Sequence, residues 1–448
     1  MSHTQELLAE PLQPIAHDHH WPLAGRVGFR FVFSYFMLYL FCNGNVTVFT
    51  PFDRIPWVGG AINGWFSKPF HPLTEWLGHR LFHLTGVAAA WHAGGSGDTA
   101  QGWILEGVFL LIAIAATLLW SVLDRKRGAY PTLYAWLRFS IRLMLGVSML
   151  VYGFAKVFPL QMQPPSIGVL NEPFGQLSPM SVLWSMLAIF PVYQMICGWA
   201  EVIAGALLLV RKTALAGALL TSFVMTNVLL YNLFFDVPVK LFAAHLVLFA
   251  VFLILADAPQ LFRFFILNQA AQLKGIWVPP ASRAGMLRAM WIVEICYFAL
   301  AVVMIVNNVY PRWTAFQAGQ QPSPIVGAWT VTAASPAPLK TPEANPWTDI
   351  YFDNTFRAMV RGTDGQLWRY SLKYDAVKKT VDMISWDGTK KFIWKVNDPD
   401  HLTLTAAPAK ASPAAAVETL QLTRQPTAKN YVLYDRGFHL VNEWGYEH

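Results

Sequence analysis

The run GWILEGVFLLIAIAATLLWSVL, from Gly102 to Leu123, decides the fold. It is almost unbroken apolar sequence at the length, about 20 residues, that carries one α-helix across the hydrocarbon core of a bilayer. Six runs of the same kind surround it, near residues 28–50, 134–158, 181–211, 213–234, 238–257 and 286–310. The run at 181–211 is too long for one crossing. Pro191 interrupts it, so that a first half at 179–190 lies at the interface or kinks. Pro238 fits the first turn of the following span, where a missing N–H costs little.

Composition points the same way. The chain is 55% hydrophobic and 13% charged, against about 25% charged for soluble domains. The apolar runs are confined to residues 27–310, and residues 311–448 read as a soluble domain. Met1 to Pro22 is polar, with His17, His19 and His20, and has no secretory signal, so the first span serves as an uncleaved insertion signal. Cys42, Cys197 and Cys296 each lie in an apolar run, with no zinc spacing among them, and no metal is assigned. The net charge of +7 is accounted for by basic residues in loops beside the spans. No basic patch interleaves with a readable nucleic-acid motif, which excludes nucleic acid as a partner. With the N-terminus inside, the inner segments carry thirteen Lys and Arg and the outer segments between spans carry five. The positive-inside rule then expects an N-terminus in the cytoplasm of a bacterial inner membrane. Seven spans expect the C-terminal domain in the periplasm or outside the cell.

The segment 51–101 is long and aromatic, and its pattern around Thr74–Leu84 suits an amphipathic helix lying on the membrane. It ends in Gly94-Gly-Ser96-Gly-Asp98-Thr99, which suits a helix cap. Ser96 and Asp98 also stand in a loop whose backbone N–H groups could hold an anion. After the seventh run comes a Pro- and Gln-rich linker, 312–324. Strand-like runs then follow at Ile325–Thr332, Asp349–Phe352, Phe356–Arg361, Leu367–Tyr374, Thr380–Ser385, Lys391–Val396, Leu402–Thr405, Val417–Thr423 and Tyr431–Tyr434. Asp364-Gly365 and Asp387-Gly388 are hairpin turns between them. Eight or nine short strands with few helices predict a small closed antiparallel β-barrel. The expected fold is therefore an α-helical membrane bundle of about seven spans followed by a soluble barrel-like β domain.

An unpaired ionisable side chain at the centre of a bilayer costs at least ~2.5 kcal/mol, so such residues point to function. Lys156 ends the third span and Glu201 lies near the middle of the fourth. Asn227, Tyr231 and Asn232 are on the fifth, Asp236 is at the turn after it, and Lys240 and His245 begin the sixth. Asn227 and Tyr231, and again Asn232 and Asp236, are four apart and share a helix face. Lys156, Asp236 and Lys240 approach one membrane level. A polar pocket built from this set could use a lysine near a carboxylate as base or anion site, and His245 to pass protons. The structural alternatives are that Lys156 snorkels and that Glu201 holds helices together. Glu294, in the seventh span, has no partner in its own helix. At the chain end Arg436, His439, Asn442 and Glu443 either bind a ligand or another part of the protein, or form a closing strand against Trp329.

At these residues the chain resembles a known family. Tyr152-Gly-Phe-Ala-Lys-Val-Phe-Pro, Leu177-Ser-Pro-Met, Gly198-Trp-Ala-Glu-Val and Asn232-Leu-Phe-Phe-Asp-Val-Pro-Val-Lys240 resemble the DoxX-like membrane proteins, whose superfamily includes the membrane part of vitamin K-dependent γ-carboxylase. The resemblance implies a four-helix unit at 134–260. It would be preceded by a polar tail (1–27) and two spans with the aromatic segment (28–133), and followed by a connecting segment and seventh span (261–311). Gly95-Ser-Gly-Asp-Thr and Arg436-Gly-Phe-His-Leu-Val-Asn-Glu443 look like a larger subset of such proteins with a C-terminal β domain. Gly327-Ala-Trp329 looks like the opening of a lipocalin-like barrel, here 325–448. Because some DoxX-like proteins are subunits of quinone-reducing enzymes, the resemblance implies a membrane oxidoreductase or a subunit of one, with a quinone or another lipid-soluble ligand in the pocket and a protein partner carrying electrons. The second reading is non-enzymatic: the helices anchor, and the outer β domain binds a lipid, an envelope component or a protein. Transport is weaker, since no inverted repeat is evident.

Overall fold

A computed structural model of the chain describes residues 20–43, 51–52, 64–91, 97–272, 284–319, 323–336, 338–385, 388–407, 418–426, 431 and 433. In chain order the helices are α1 (Leu23–Cys42), α2 (His71–Leu81), α3 (Ala100–Leu123), α4 (Pro131–Val157), α5 (Ile167–Leu170), α6 (Pro179–Ile189), α7 (Pro191–Leu209), α8 (Ala214–Phe234), α9 (Lys240–Leu255), α10 (Ala258–Phe265) and α11 (Ala284–Gly319). Among the described residues five helices are long and apolar enough to cross a membrane: α3, α4, α7, α8 and α11. A sixth crossing is counted if α9 and α10, which bend by 78° at their junction, are one span. The first expected run, 28–50, is present as α1. It takes in Arg26 and Arg30 and so falls short of the apolar character of the other five.

Local chemistry sets the helix ends. The Thr99, Ser166 and Ser178 hydroxyls accept the N–H groups of Gly102, Val169 and Ser181 and cap α3, α5 and α6. The over-long run at 181–211 is two helices, parted at Phe190, with Pro191 in the first turn of α7. Two expectations need correction. Pro238 precedes α9 instead of sitting in its first turn, because Asp98 accepts the Lys240 and Leu241 N–H groups at 2.7 and 2.9 Å and starts the helix there. The stretch after residue 311 is no linker at first: α11 runs through Pro311 to Gly319. Proline removes a single N–H, and Trp313 beyond it packs edge-on against Phe158, with ring centroids 5.7 Å apart. The expected surface helix is α2, with Trp76 exposed and Thr74 buried.

The chain divides into two compact units, one of residues 1–148, 204–229 and 238–301, the other of 149–203, 230–237 and 302–448. The second contains the β domain. Its strands are β1 (Gly327–Ser335), β2 (Trp347–Phe352), β3 (Arg357–Gly362), β4 (Leu367–Asp375), β5 (Thr380–Ser385), β6 (Gly388–Asp398), β7 (His401–Ala406) and β8 (Thr419–Arg424). Each pairs antiparallel with the next, and β8 returns to β1, so the barrel is closed. The expected ninth run, 431–434, lies largely outside the described residues, and Tyr431 is in no strand. The interior is filled by Trp329, Trp347, Ile350, Tyr370, Phe392 and their neighbours. At the closing seam Trp329 is opposite Arg424. The Arg424 guanidinium lies 4.2 Å from the Trp329 ring centroid, and the indole N–H donates to the Ile325 carbonyl at 2.8 Å. Gly327 makes the turn into β1 at φ +141, a conformation closed to other residues.

Strands β2 and β3 are buried on both faces, which breaks the in–out alternation usual for a barrel with one wet face. On the outside Ala328, Tyr351 and Met359 pack against Ile167 and Val169 of α5. Gly168 lies so close that a Cβ there would meet the Met359 sulfur at 3.0 Å. Polar contacts fasten the same junction. Asp353 accepts the Ile167 N–H at 2.7 Å, the Arg357 guanidinium reaches Gln163 and Pro164, and Arg361 pairs with Glu172 at 2.7 Å.

Candidate functional site

In the second unit Lys156 and Glu201 form a buried ion pair. The ammonium donates to both carboxylate oxygens, at 2.7 and 2.8 Å. Two glycines make the approach possible. A Cβ on Gly198 would stand 2.7 Å from the Gly153 carbonyl oxygen, and one on Gly153 would stand 2.9 Å from that of Gly198, so α4 and α7 touch backbone to backbone. Small residues allow such contact between membrane helices. Asn232 is buried in this unit, Tyr231 is half-buried beside Phe235, and Asp236 is exposed in the turn after α8 at φ +52. Asn227, on the part of α8 that belongs to the first unit, is exposed.

In the first unit Lys240 reaches Asp98 at 3.8 Å, while the Asp98 carboxylate caps α9 through two backbone N–H groups. Thr99 caps α3, so of the Gly94–Thr99 run one residue serves its own helix and another a distant one. Ser96, Arg436, His439, Asn442 and Glu443 lie outside the described residues. Glu294 finds its partners on other helices. It pairs with Arg142 and with Arg211, the latter at 2.7 Å, and Arg142 also donates to the carbonyls of Leu208 and Leu209 that end α7.

His245 stands in the arrangement with the most chemistry. Its Nδ1 is 2.7 Å from the Leu241 carbonyl oxygen, which can only accept, so Nδ1 carries a hydrogen. Its Nε2 is 2.7 Å from the Tyr35 hydroxyl, and that hydroxyl is 2.9 Å from Oε2 of Glu106. The carboxylate and the imidazole are 3.6 Å apart directly. Tyr39 stacks on the imidazole at 3.6 Å between centroids. Three helices contribute: α1 gives Tyr35 and Tyr39, α3 gives Glu106 and α9 gives His245.

The donor count of this cluster admits two proton arrangements. In one, Glu106 is protonated and donates to Tyr35, and Tyr35 donates to a neutral His245. In the other, His245 is an imidazolium donating to Tyr35, and Tyr35 donates to the Glu106 carboxylate. Both satisfy every hydrogen bond, both are neutral overall, and they differ by two short proton hops. The set can hold one proton and pass it from carboxyl to imidazole through the phenol.

Of these residues the sequence reading singled out His245 and passed over Tyr35 and Glu106. The signal for Glu106 was there: it is the one ionisable side chain between Gly102 and Leu123. Tyr35 offered none, since a tyrosine in an aromatic helix has no distinguishing neighbour until the fold supplies one.

No protein-family profile matches the chain, and no solved structure matches it. The chain is similar to an uncharacterised protein, YwoB, of Bacillus subtilis (strain 168), with 27% identity over 135 residues, 28% of this chain and 80% of YwoB.

Proposed function

We propose that this protein handles protons within the membrane for a lipid-soluble, redox-active ligand of the quinone class, as the resemblance to the DoxX-like proteins implies. The observation that carries the reading is the neutral one-proton cluster of Tyr35, Glu106 and His245. Ionisable groups inside a membrane are costly and rare, and proton relays are among the functions they mark. Reduction of a quinone to a quinol consumes two electrons and two protons. In this reading the cluster supplies the protons in turn, being reprotonated between them, and a partner protein supplies the electrons. Counting α1 and the bent α9–α10 pair as spans gives seven crossings. The excess of basic residues then orients the N-terminus to the cytoplasm of a bacterial inner membrane and the barrel to the opposite side.

The test is mass spectrometry of small molecules retained by the full chain in mild detergent, with proton uptake followed while the retained molecule is chemically reduced. Wild type is expected to retain a quinone-class molecule, and Glu106→Gln and Tyr35→Phe to lose the coupled proton uptake. Absence of such a molecule, or uptake unchanged in both folded variants, overturns the proposal.

A second reading rests on a different observation. The indole N–H groups of Trp347, Trp368 and Trp394 are buried in the barrel wall and core with no hydrogen-bond partner among the described residues. Buried donors of this kind are rare. In the non-enzymatic reading they face an acceptor on a lipid or protein bound by the barrel. A full chain carrying Trp347→Phe and Trp394→Phe would then lose a co-purifying lipid or protein that wild type retains; unchanged retention overturns this reading.

A further inference from the structure

At one end of the first unit a groove opens between α1, α4 and α9. Its volume is about 300 Å3 and its walls are largely apolar, with Trp21, Gly25, Gly28, Tyr134, Phe252 and Leu255 among them. That volume is at the lower end for ligand pockets. The groove exists because Gly25 and Gly28, three residues apart, leave one side of α1 bare. A Cβ on Gly28 would meet nothing within 4 Å.

Basic residues adjoin its wall residues. Arg138 lies over the ring of Tyr134, a groove wall, at 5.7 Å, and is 4.0 Å from Asp257, two residues beyond Leu255. Arg26, between the two glycines, donates to the Arg125 and Arg127 carbonyls. Arg30 is held by Tyr130, Ser121 and the Asp124 carbonyl, and Arg127 lies over the Tyr130 ring. Arg26, Arg30, Arg125, Lys126, Arg127 and Arg138 outnumber Asp124 and Asp257 in these segments by four. The Nε–H groups of Arg26 and Arg138 are buried without a hydrogen-bond partner among the described residues.

Two features place this end at a membrane surface. Helix α10 turns 78° away from α9 immediately past the groove and exposes Phe262, Phe264 and Phe265, as a helix lying in the interface does. Trp21 and Tyr134 are aromatic residues of the kind enriched at that depth.

We infer that the groove is a binding site for an anionic phospholipid, with an acyl chain along Gly25 and Gly28 and the phosphate against Arg138 and Arg26. The apolar slot alone would suit any lipid. The excess of basic over acidic residues beside it selects one whose headgroup is negative.

The test uses the full chain in mild detergent and native mass spectrometry with phosphatidylglycerol and phosphatidylcholine of identical acyl chains. Phosphatidylglycerol is expected to be retained in preference. Arg138→Gln should weaken that retention about fivefold, the effect of one cation near a charged surface. Gly28→Leu fills the slot without a backbone clash and should abolish retention of the lipid while leaving thermal stability intact. Equal retention of the two lipids overturns the proposal, as does retention unaffected by either substitution. Displacement of phosphatidylglycerol by an equal concentration of inorganic phosphate also overturns it, since the site would then read an anion and not a lipid.

Discussion

The ammonium of Lys156 and the carboxylate of Glu201, 45 residues apart in sequence, share two hydrogen bonds at 2.7 and 2.8 Å in a buried setting. Each neutralises the other, and neither can be removed alone without leaving an uncompensated buried charge. Lys156→Met or Glu201→Gln is therefore expected to destabilise the protein by about 3–5 kcal/mol. The double variant Lys156→Met/Glu201→Met should recover most of that loss. Unfolding of the detergent-solubilised chain, run as a double-mutant cycle, measures the coupling. Single variants as stable as wild type would show that the pair is not formed.

The pair depends on the glycines beside it. Gly198→Ala places a Cβ 2.7 Å from both the Gly153 carbonyl oxygen and the Val157 nitrogen. Those are backbone atoms and cannot rotate away, so α4 and α7 must separate. A cost of about 1–3 kcal/mol is expected in the same unfolding assay. Gly175→Ala, where a Cβ meets nothing within 4 Å, is the control and should be near neutral.

Asp353 ties the barrel to α5 through the Ile167 N–H and is also bonded to Arg357. Burial holds its carboxyl above the usual carboxylate range, outweighing the downward pull of Arg357 and of the Ile167 N–H. The native state therefore keeps this proton more tightly than the unfolded chain. Its contribution to stability is full below the unfolded value of about 3.9 and is lost as pH rises through the raised native value. Asp353→Asn retains an acceptor for Ile167 and cannot titrate. The stability difference between wild type and this variant, measured at a series of pH values, should shift against wild type as pH rises from about 4. A difference independent of pH contradicts the assignment.

The barrel seam offers a fourth case. Trp329 is fully buried and carries the Arg424 guanidinium on its face. Trp329→Ala is expected to cost about 3–5 kcal/mol. Arg424→Leu, which keeps an apolar cover, should cost about 1 kcal/mol through loss of the cation–π contact. Tryptophan fluorescence during denaturant unfolding checks both. Equal costs for the two would mean that the guanidinium, not the indole, closes the seam.

Much of the fold was legible in the chain, for reasons that can be named. The spans 102–123, 134–158 and 213–234 needed only their length and their high apolar content. Eight strands were located by residues that alternate between two faces, with Asp364-Gly365 marking a hairpin whose Gly365 does take φ +79. Pro191 marked a helix break because a missing N–H acts locally. Pro311 did not, because the helix continues where Trp313 finds Phe158, a contact over more than 150 residues of chain. The double burial of β2 and β3 was likewise invisible: Tyr351 and Met359 are covered only when α5 arrives.

The candidate site divides along the same line. Lys156, Glu201, Lys240 and His245 could be picked out singly, since a charge or imidazole in an apolar run is costly wherever it falls. Their pairing could not. Lys240 meets Asp98, Glu294 meets Arg142 and Arg211, and His245 meets Tyr35 and Glu106, each across helices far apart in the chain.

By itself the sequence determined that this protein places helices in a membrane and carries a closed β-barrel after them. Both follow from hydrophobic period and run length, which are properties of neighbouring residues. Only the tertiary structure decided which buried charges cancel, that Lys156 and Glu201 fasten two helices, and that Tyr35 stands at hydrogen-bond distance from both Glu106 and His245. Those outcomes depend on distances of a few ångströms between residues with no local relation, and no pattern along the chain encodes them.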